Sequence, residues 1–191
     1  MQRGFKTKAE SLACDLRAEL GLPPFAPLSG KRLVSHLKVC LIHPAEIPDM
    51  PVDLLHRVLN GGSEHWSAIT FYDCTARPFI IHNPNHAPPR QESDLMHESA
   101  HILCKHPPAK IVSLGGFAMR TYNSNHEDEA AWLGGCLQIP RVGLLWAIKR
   151  NMSDEELAQH FGASLEMARF RRRTTGVDSQ LLHAKSYRRR R

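Results

Sequence analysis

The chain has 191 residues, of which 42% are hydrophobic and 23% are charged, as is typical of a soluble globular protein. This composition excludes a fibrous repeat and wholesale disorder, and the length allows one domain with a sizeable core and a small appendage. The net charge of +6 is uneven, because residues 1–140 carry 13 basic and 14 acidic side chains whereas residues 141–191 carry 12 basic and 5 acidic ones. The basic character therefore belongs to the C-terminal quarter.

The sequence has the features of a cytoplasmic protein. Its first ten residues, MQRGFKTKAE, lack the apolar core of a secretory signal, and no later stretch has the apolar length that a bilayer requires. The five cysteines are odd in number and widely spaced, and they include no Cys-x-x-Cys pair. We therefore expect reduced thiols in the cytoplasm rather than a disulfide framework or a zinc finger.

The N-terminal third predicts short helices and one brief strand. The first helix covers residues 5–20, where apolar residues recur at helical spacing until Gly21 stops the run. After a proline-rich turn, residues 28–37 predict a second short helix and residues 38–47 predict a brief strand. Residues 51–62 predict one or two further helical turns before a glycine break.

Two apolar segments rich in β-branched and aromatic residues follow, HWSAITFYD at residues 65–73 and RPFIIHN at residues 77–83. A three-residue connection joins them, so they predict an antiparallel hairpin. The prolines and asparagines of the next segment, NPNHAPPR, predict a loop.

The middle of the chain predicts two well-marked helices. Ser93 or Asp94 is suited to cap a helix through LMHESAHILCK, and a pair of prolines ends that helix. The pattern of residues 109–125 does not assign them to either type of element. A second helix is predicted from Glu127 to Gln138, before a proline.

The C-terminal quarter predicts three shorter helices. Residues 142–150 predict the first of them, and Ser153 with Glu156 forms a capping box that opens DEELAQHF. Gly162 ends that helix, and Ser164 is suited to cap a last helix, LEMARFRRR.

The stretch HESAH, residues 97–101, has the spacing of a metal site. Residues four apart on a helix share a face, so His97 and His101 can direct both imidazoles at one point. Glu98 is rotated away from them and can address a water molecule on the metal. Zinc lowers the pKa of such a water to about 7, and a carboxylate can take its proton and then deliver it to a leaving amine. Because the chain has 12 histidines, this short pattern can also arise by chance, and its context must decide.

A catalytic zinc ion also requires a third protein ligand and an open fourth position. The extended metzincin pattern requires glycine and histidine where this chain has Cys104 and Pro107, so that class is excluded. His106 follows His101 too closely to turn back as a ligand without unwinding the helix.

The acidic cluster NHEDEAAW is the better source of the third ligand. Small residues follow Glu127 at three, four and seven places and form a flat stripe on its side. This stripe lets the second helix lie closely against the HESAH helix and directs Glu127 at the metal. Glu129 points to the far side in that register and remains the alternative ligand. His126 and Asp128 are weaker candidates, because acidic residues in a first helical turn commonly only complement the helix dipole.

Taken in order, the segments SAITFY, IIHNPNHAPPRQ, SDLMHESAHILCKHP and EDEAAWLGGCLQIP resemble the ImmA/IrrE family of zinc metallopeptidases. In that family a strand pair leads through an Asn-Pro loop and an arginine to the zinc helix, and a Glu-x-x-Ala helix ending in an aliphatic-Pro pair follows. The resemblance covers roughly residues 30–175. The chain departs from the family pattern at Ala131, at residues 133–135 and at Gln138. These departures leave the ligands intact and concern the surroundings of the metal.

The resemblance implies an α+β fold, with a helical, gluzincin-like zinc-peptidase domain that has a small antiparallel sheet and is followed by a helical C-terminal extension. We expect the peptidase domain, including the N-terminal helices, in residues 1–150. A small helix-turn-helix-like extension is expected in residues 151–176, and a basic, flexible tail in residues 177–191.

The expected cofactor is one Zn²⁺ ion. The family pattern agrees with the helix-face argument in favouring Glu127 over Glu129, and it makes Glu98 the general base. The expected ligands of the ion are His97, His101 and Glu127. Manganese could also occupy two histidines and a carboxylate. Tyr122 and His126 are the candidates for stabilising the oxyanion.

The family further implies a cytoplasmic endopeptidase that cleaves or otherwise inactivates a helix-turn-helix repressor and so releases mobile-element, prophage or stress genes. An edge of the predicted hairpin could bind an extended substrate segment by strand addition. An alternative is a regulator that sequesters the repressor without hydrolysis.

A second alternative is a DNA-binding regulator whose zinc fold is only structural. The last two helices resemble a helix-turn-helix, and four arginines could contact phosphates: Arg169, Arg171, Arg172 and Arg173. Apolar residues of the same helices could instead pack on the zinc domain: Leu157, Phe161, Leu165 and Phe170. We favour packing, because no third supporting helix is evident. Any nucleic-acid contact through the basic C-terminus is then weak.

Overall fold

The computed structural model describes residues 1–61, 66–107, 111–114, 117–120 and 123–181. The helices are α1 (Phe5–Glu19), α2 (Gly30–His36), α3 (Val52–His56), α4 (Pro88–Leu103), α5 (Ser124–Gln138), α6 (Arg141–Ile148), α7 (Asp154–Phe161) and α8 (Leu165–Thr175). The strands are β1 (Cys40–Ile42), β2 (Ala68–Tyr72), β3 (Pro78–His82), β4 (Ile111–Leu114) and β5 (Phe117–Arg120). A 3₁₀ turn, Pro44–Glu46, and a π-helical turn, Arg57–Gly61, complete these elements. The mixture of helices with a small sheet agrees with the expected α+β class.

The three-stranded sheet has the order β1-β3-β2. The predicted hairpin is confirmed, because β2 and β3 pair antiparallel with Ile69 opposite Ile81. The expectation of a purely antiparallel sheet is wrong, because β1 pairs parallel to β3. The long segment between β1 and β3, which includes α3 and β2, lets the chain return in the same direction. Strands β4 and β5 form a separate antiparallel pair in the region that the sequence left unassigned.

Helices α7 and α8 begin after the predicted capping residues, and α7 ends at the predicted glycine. The capping box is confirmed, since the Ser153 hydroxyl accepts from the Glu156 N–H at 3.2 Å and the Glu156 carboxylate accepts from the Ser153 N–H at 2.8 Å. Gly162 ends α7 in the left-handed conformation, with φ 61°. The Ser164 hydroxyl caps α8 by accepting from the Met167 N–H at 3.1 Å.

Helix α4 begins earlier than predicted, and neither Ser93 nor Asp94 caps it. It begins at Pro88, directly after Ala87. Proline suits the first turn of a helix because its φ is already helical and its missing N–H would have had no partner there. Ser93 lies inside the helix, and its hydroxyl donates to the Pro89 carbonyl at 3.1 Å. The proline-containing segment predicted as a loop therefore supplies the first turn.

Helices α4 and α5 pack closely together at the centre of the fold. A Cβ at Gly134 would lie 3.3 Å from the Cα and the N of His97, so the missing side chain is what allows this approach. Ala130 is fully buried in the same contact region, which confirms that small residues line this side of α5. One detail of the predicted stripe is wrong, because Ala131 is exposed. Gly135, the next residue after the stripe, faces the Arg171 side chain of α8.

Helix α1 holds the C-terminal end of α5 through a buried arginine. The Arg17 guanidinium is fully buried and donates to the carbonyls of Leu137 at 2.8 Å and Gln138 at 3.2 Å. A cation is favourable at a helix C-terminus, where carbonyls lack partners within the helix. Burial lowers the pKa of Arg17 to about 10, so the side chain stays charged at neutral pH.

Helices α6, α7 and α8 share an apolar core that includes Leu144, Leu157 and Phe161. Phe170 of α8 packs on the core of α1, α4 and α5, where its ring lies 6.3 Å from that of Trp132. The predicted packing role of these helices is therefore confirmed for the residues named here. Residues 177–181 are helical as well.

The four arginines of α8 do not form one surface for phosphates. Arg171 is fully buried, and it donates from Nε to the Ile139 carbonyl at 2.9 Å and from Nη2 to the Glu10 carboxylate at 2.5 Å. The sequence-based idea that it contacts phosphates is wrong, since its charge is used inside the fold. Arg172 binds two carboxylates, those of Asp154 and Asp178.

All five cysteines are free thiols, as expected. Burial raises the pKa of Cys104 to about 11 and that of Cys136 to about 12. These two thiols are therefore protonated and unreactive at neutral pH. No helix within the described ranges is by itself long and apolar enough to cross a membrane, and α5 with α6 meets that test only as a pair bent by 48°.

We predict that Arg171→Met destabilises the protein by about 3 kcal/mol, because it leaves the Glu10 carboxylate and the Ile139 carbonyl without their charged partner. The measurement is urea unfolding. The matched control is Arg173→Met on the exposed side of the same helix, which should change the free energy of unfolding by less than about 0.5 kcal/mol. Equal effects of the two changes would contradict the buried anchoring role of Arg171.

Candidate metal centre

Two adjacent helices bring three donor groups together. His97 and His101 lie one turn apart on α4, and Glu127 lies in the first turn of α5. The Nε2 atoms of the two histidines are 3.0 Å apart, and Glu127 Oε2 lies 3.2 Å from His97 Nε2 and 3.6 Å from His101 Nε2. Among the described residues, these three are the His, Cys, Asp and Glu side chains whose ligand atoms lie close enough together to hold a metal ion.

The spacing of the three donors fits a tetrahedral metal centre. Ligand atoms about 2.0–2.1 Å from one ion in tetrahedral geometry are about 3.3–3.4 Å from each other. The observed separations of 3.0, 3.2 and 3.6 Å bracket that value. Two imidazole nitrogens and one carboxylate oxygen are also a donor set that zinc accepts. Three protein donors leave a fourth position for a water molecule or a substrate oxygen.

The carboxylate of Glu98 lies beside this cluster, and a strand residue fixes its orientation. Glu98 is 6% exposed, and the hydroxyl of Thr70 on β2 donates to its Oε2 at 2.6 Å. Tyr72, two residues further along β2, lies on the same face of the strand. Burial raises the pKa of Tyr72, and the negative charge of Glu98 raises it further. The phenol is therefore protonated at neutral pH, and the Tyr72 residue is only partly exposed to water.

A groove of about 480 Å³ joins β2 to the donor cluster. Its wall on one side is formed by residues 66–69, which lead into β2. The donor side of the groove contributes four acidic or metal-binding side chains: Asp94, His97, Glu98 and Glu127. An extended chain lying along β2 would therefore pass directly over the metal centre.

A second groove of about 840 Å³ continues from the same centre toward α8. Asp94 and His97 line both grooves, so the two grooves adjoin each other at His97 of the donor cluster. The far part of the cleft lies between α4, α5 and α8 and has an apolar floor with arginines at its edge. Its lining there includes Met167, Phe170, Arg169 and Arg173.

Glu129, the alternative ligand, lies outside the donor cluster. Its carboxylate Oε2 is 3.2 Å from His106 Nε2, and its Oε1 accepts from the Gln2 N–H at 3.3 Å. Burial alone would raise the pKa of Glu129, but the hydrogen bonds with His106 and Gln2 outweigh burial and lower it. The geometry thus supports Glu127 as the third ligand.

The two candidates for stabilising the oxyanion remain predictions. Tyr122 lies outside the described residues. His126 stacks on His106, with ring centroids 4.4 Å apart and an interplanar angle of 11°.

Sequence reasoning missed two residues that shape the site. Thr70 has no sequence signal, since a threonine in a strand is ordinary and only the sheet packing brings it to Glu98. Asp94 could have been found, because it lies three residues before His97 on the same helix. Its carboxylate binds His86 at 2.8 Å and lies 3.9 Å from the Arg90 guanidinium.

Comparison with known proteins identifies the same region of the chain. A family model described as Peptidase_M78, IrrE N-terminal-like domain, matches residues 59–173, more than half of the chain. The match begins before β2 and ends within α8, so it includes every residue of the donor cluster and both grooves. No match to a curated protein was found.

We predict that Glu127→Ala weakens zinc binding by more than the roughly 10–100-fold that changes around a metal's ligands typically cost, because it removes one of three donors. The measurement is competition with a chromophoric chelator. Asp128→Asn, an exposed carboxylate in the same helical turn, is the control and should bind zinc like the unchanged protein. Unchanged affinity in Glu127→Ala would remove Glu127 from the metal centre.

Proposed function

The chain belongs to the Peptidase_M78 family of IrrE N-terminal-like domains, and on this premise we propose that it is a zinc-dependent endopeptidase. The family supports a metallopeptidase. The observation that carries the proposal is the donor triad, whose separations match a tetrahedral centre and which lies in a cleft beside the buried carboxylate of Glu98. We assign one Zn²⁺ ion to His97, His101 and Glu127.

Bound at this site, a zinc ion would supply Lewis-acid polarisation of a peptide carbonyl and would lower the pKa of water to about 7. The carboxylate of Glu98 acts as the general base that accepts a proton from the attacking water. The same carboxylate then returns the proton to the leaving amine nitrogen. Thr70 holds Oε2 of Glu98 and thereby keeps the carboxylate aligned with the groove during both transfers.

The substrate binds as an additional strand on β2. Hydrogen bonds from the Asn83 N–H to the Ser67 carbonyl and from the Asp73 N–H to the Arg77 carbonyl fix the phase of the β2–β3 ladder. In an antiparallel pair the bonded positions alternate, so the backbone groups of Ala68, Thr70 and Tyr72 point away from β3. Pro78, which has no N–H, lies opposite Tyr72, in agreement with this phase.

The shape of the cleft favours an endopeptidase over an exopeptidase. Open volume adjoins His97 both along β2 and toward α8. A chain can therefore continue past the scissile bond in both directions. The proposed substrate is a helix-turn-helix transcriptional repressor in the cytoplasm, whose cleavage would derepress mobile-element or stress genes. The family resemblance supports this substrate class.

The alternatives from the sequence receive less support. Direct DNA binding through α8 is less supported, because Arg171 is buried and Arg172 is paired with two carboxylates. Arg169 and Arg173 are exposed, and a weak nucleic-acid contact through them remains a prediction. The RRRR tail lies outside the described residues. The Glu98→Gln variant distinguishes repressor sequestration without hydrolysis from cleavage.

We predict that Glu98→Gln retains zinc and lowers cleavage by about 100-fold or more, because the amide cannot accept the proton. Zinc content and cleavage of a proteome-derived peptide library are measured together. The control is Glu155→Gln, an exposed side chain of α7, which should cleave normally. A helix-turn-helix repressor is then tested as substrate. Inactivation of that repressor by Glu98→Gln, with no fragments formed, would indicate sequestration.

We predict that Ala68→Pro lowers kcat/KM for library peptides about three- to tenfold, because it removes one outward N–H from the substrate-binding edge. The fold should tolerate proline at this first position of β2, since that N–H does not pair with β3. Ala68→Ser keeps the N–H and is the control. Steady-state kinetics and thermal unfolding are compared, and unchanged kinetics in a folded Ala68→Pro would contradict strand addition on β2.

A further inference from the structure

His101 uses its two ring nitrogens in different directions. Its Nε2 faces the donor cluster, 3.0 Å from His97 Nε2. Its Nδ1 faces away and lies 3.0 Å from Nδ1 of His106. His106 in turn directs its Nε2 to Glu129 Oε2 at 3.2 Å. A continuous chain of hydrogen bonds therefore connects the metal centre to the carboxylate that lies outside it.

The end of α4 brings His106 back over His101. Lys105 adopts the left-handed conformation with φ 55°, and its N–H donates to the Ile102 carbonyl at 3.0 Å. The His106 N–H donates to the His101 carbonyl at 3.0 Å. These two bonds form a Schellman motif, which reverses the chain without unwinding the helix. A lysine in this conformation costs about 1 kcal/mol, so the turn is maintained against a local preference for glycine.

The Glu129 carboxylate, at the far end of this series of hydrogen bonds, determines which ring nitrogens of His106 and His101 carry a proton. An ionised carboxylate can only accept, so Glu129 requires an N–H on His106 Nε2. A neutral imidazole carries one N–H, which leaves Nδ1 of His106 as an acceptor. That acceptor requires the N–H of His101 to be on Nδ1, so Nε2 of His101 keeps its lone pair for a metal ion.

The surroundings of His106 favour this arrangement. The side chain of His106 is 6% exposed and that of Glu129 is 14% exposed, so water competes little for their hydrogen bond. The ring of His126 stacks on His106 and restricts its rotation. The ring is therefore held in one orientation, and at pH 8 an imidazole with the usual pKa of about 6.5 is neutral.

We propose that His106 and Glu129 are positioning residues that hold His101 in the tautomer with Nδ1 protonated and Nε2 available to the metal. This inference rests on the proposed function for the identity of the metal site, but the tautomer is a property of the metal-free protein as well. Ligating histidines commonly donate their second N–H directly to a carboxylate or a carbonyl. In this protein a second histidine, His106, lies between His101 and the Glu129 carboxylate, so the carboxylate acts on the His101 tautomer through His106.

The first test is ¹⁵N NMR of the metal-free protein at pH 8, which distinguishes the two imidazole tautomers. We expect the proton on Nδ1 of His101 and on Nε2 of His106. In His106→Leu the Nδ1 preference of His101 should be lost. In Glu129→Gln the amide can also donate to His106, so both tautomers of His106 should be populated. A His101 that is protonated on Nε2 in the unchanged protein would overturn the proposal.

The second test is zinc affinity, measured by competition with a chromophoric chelator. His106→Leu should bind zinc about 10–100-fold more weakly, and Glu129→Gln should fall between that variant and the unchanged protein. His106→Asn places an amide oxygen near the position of the lost Nδ1 and should recover most of the affinity. The control is His36→Leu, which breaks a histidine–glutamate pair of similar length, 3.0 Å, far from the metal centre.

The outcomes separate this inference from the proposed function. If a folded His106→Leu variant keeps both the zinc affinity and the His101 tautomer of the unchanged protein, the inference is overturned. The proposed peptidase function is then unaffected. A Glu129→Gln variant with unchanged affinity and a single His106 tautomer would also overturn it. Failure of the unchanged protein to bind zinc would overturn the proposed function, while the NMR of the metal-free protein still decides the tautomer.

Discussion

The close approach of α4 and α5 at Gly134 is the constraint on which the metal centre depends. Two donors come from α4 and the third from α5, so the separations of Glu127 from the two histidines depend on the distance between the helix axes. A Cβ at Gly134 would meet the backbone of α4 at 3.3 Å, and backbone atoms cannot move aside as a flexible side chain can. Glycine costs about 1 kcal/mol in a helix relative to alanine. This cost is offset by the short distance between α4 and α5, which brings Glu127 to the two histidines.

Much of the remaining structure keeps α5 in place against α4. Arg17 of α1 binds the carbonyls at the end of α5, and Arg171 of α8 binds the carbonyl of Ile139 just beyond it. Glu10 of α1 connects the two regions, since its carboxylate also accepts from the Arg141 N–H at 2.8 Å. The C-terminal helices are thus part of the support of the metal centre. Their charges serve the interior more than a surface for nucleic acid.

The polar groups around the centre divide into three layers of function. The donor triad faces the cleft, with 29% and 31% of the Glu127 and His97 side chains exposed, so that substrate can reach it. Glu98 is more buried and is oriented by a strand residue. His106 and Glu129 lie behind the triad, where little water competes with their hydrogen bonds. Glu127 and His97 are thus more exposed than Glu98, His106 and Glu129.

The sequence alone determined the elements of the site. Helical spacing placed His97 and His101 on one face, and two segments rich in β-branched and aromatic residues with a short connection identified the hairpin. The capping box of α7 and the cap of α8 were also readable, because they depend on residues three apart. These features are local, so short-range sequence patterns specify them. The order of the segments was sufficient to indicate the family.

Only the tertiary structure grouped Glu127, and not Glu129, with the two histidines, because that grouping depends on the rotation of α5 about its axis when it packs on α4. The packing of β2 on α4 placed Thr70 on Glu98, and the packing of α5 on α4 placed Glu129 on His106, contacts between residues 28 and 23 positions apart. The parallel pairing of β1 with β3 and the burial of Arg171 likewise depend on distant segments. No local pattern encodes such contacts, since they form only when separate elements share one core.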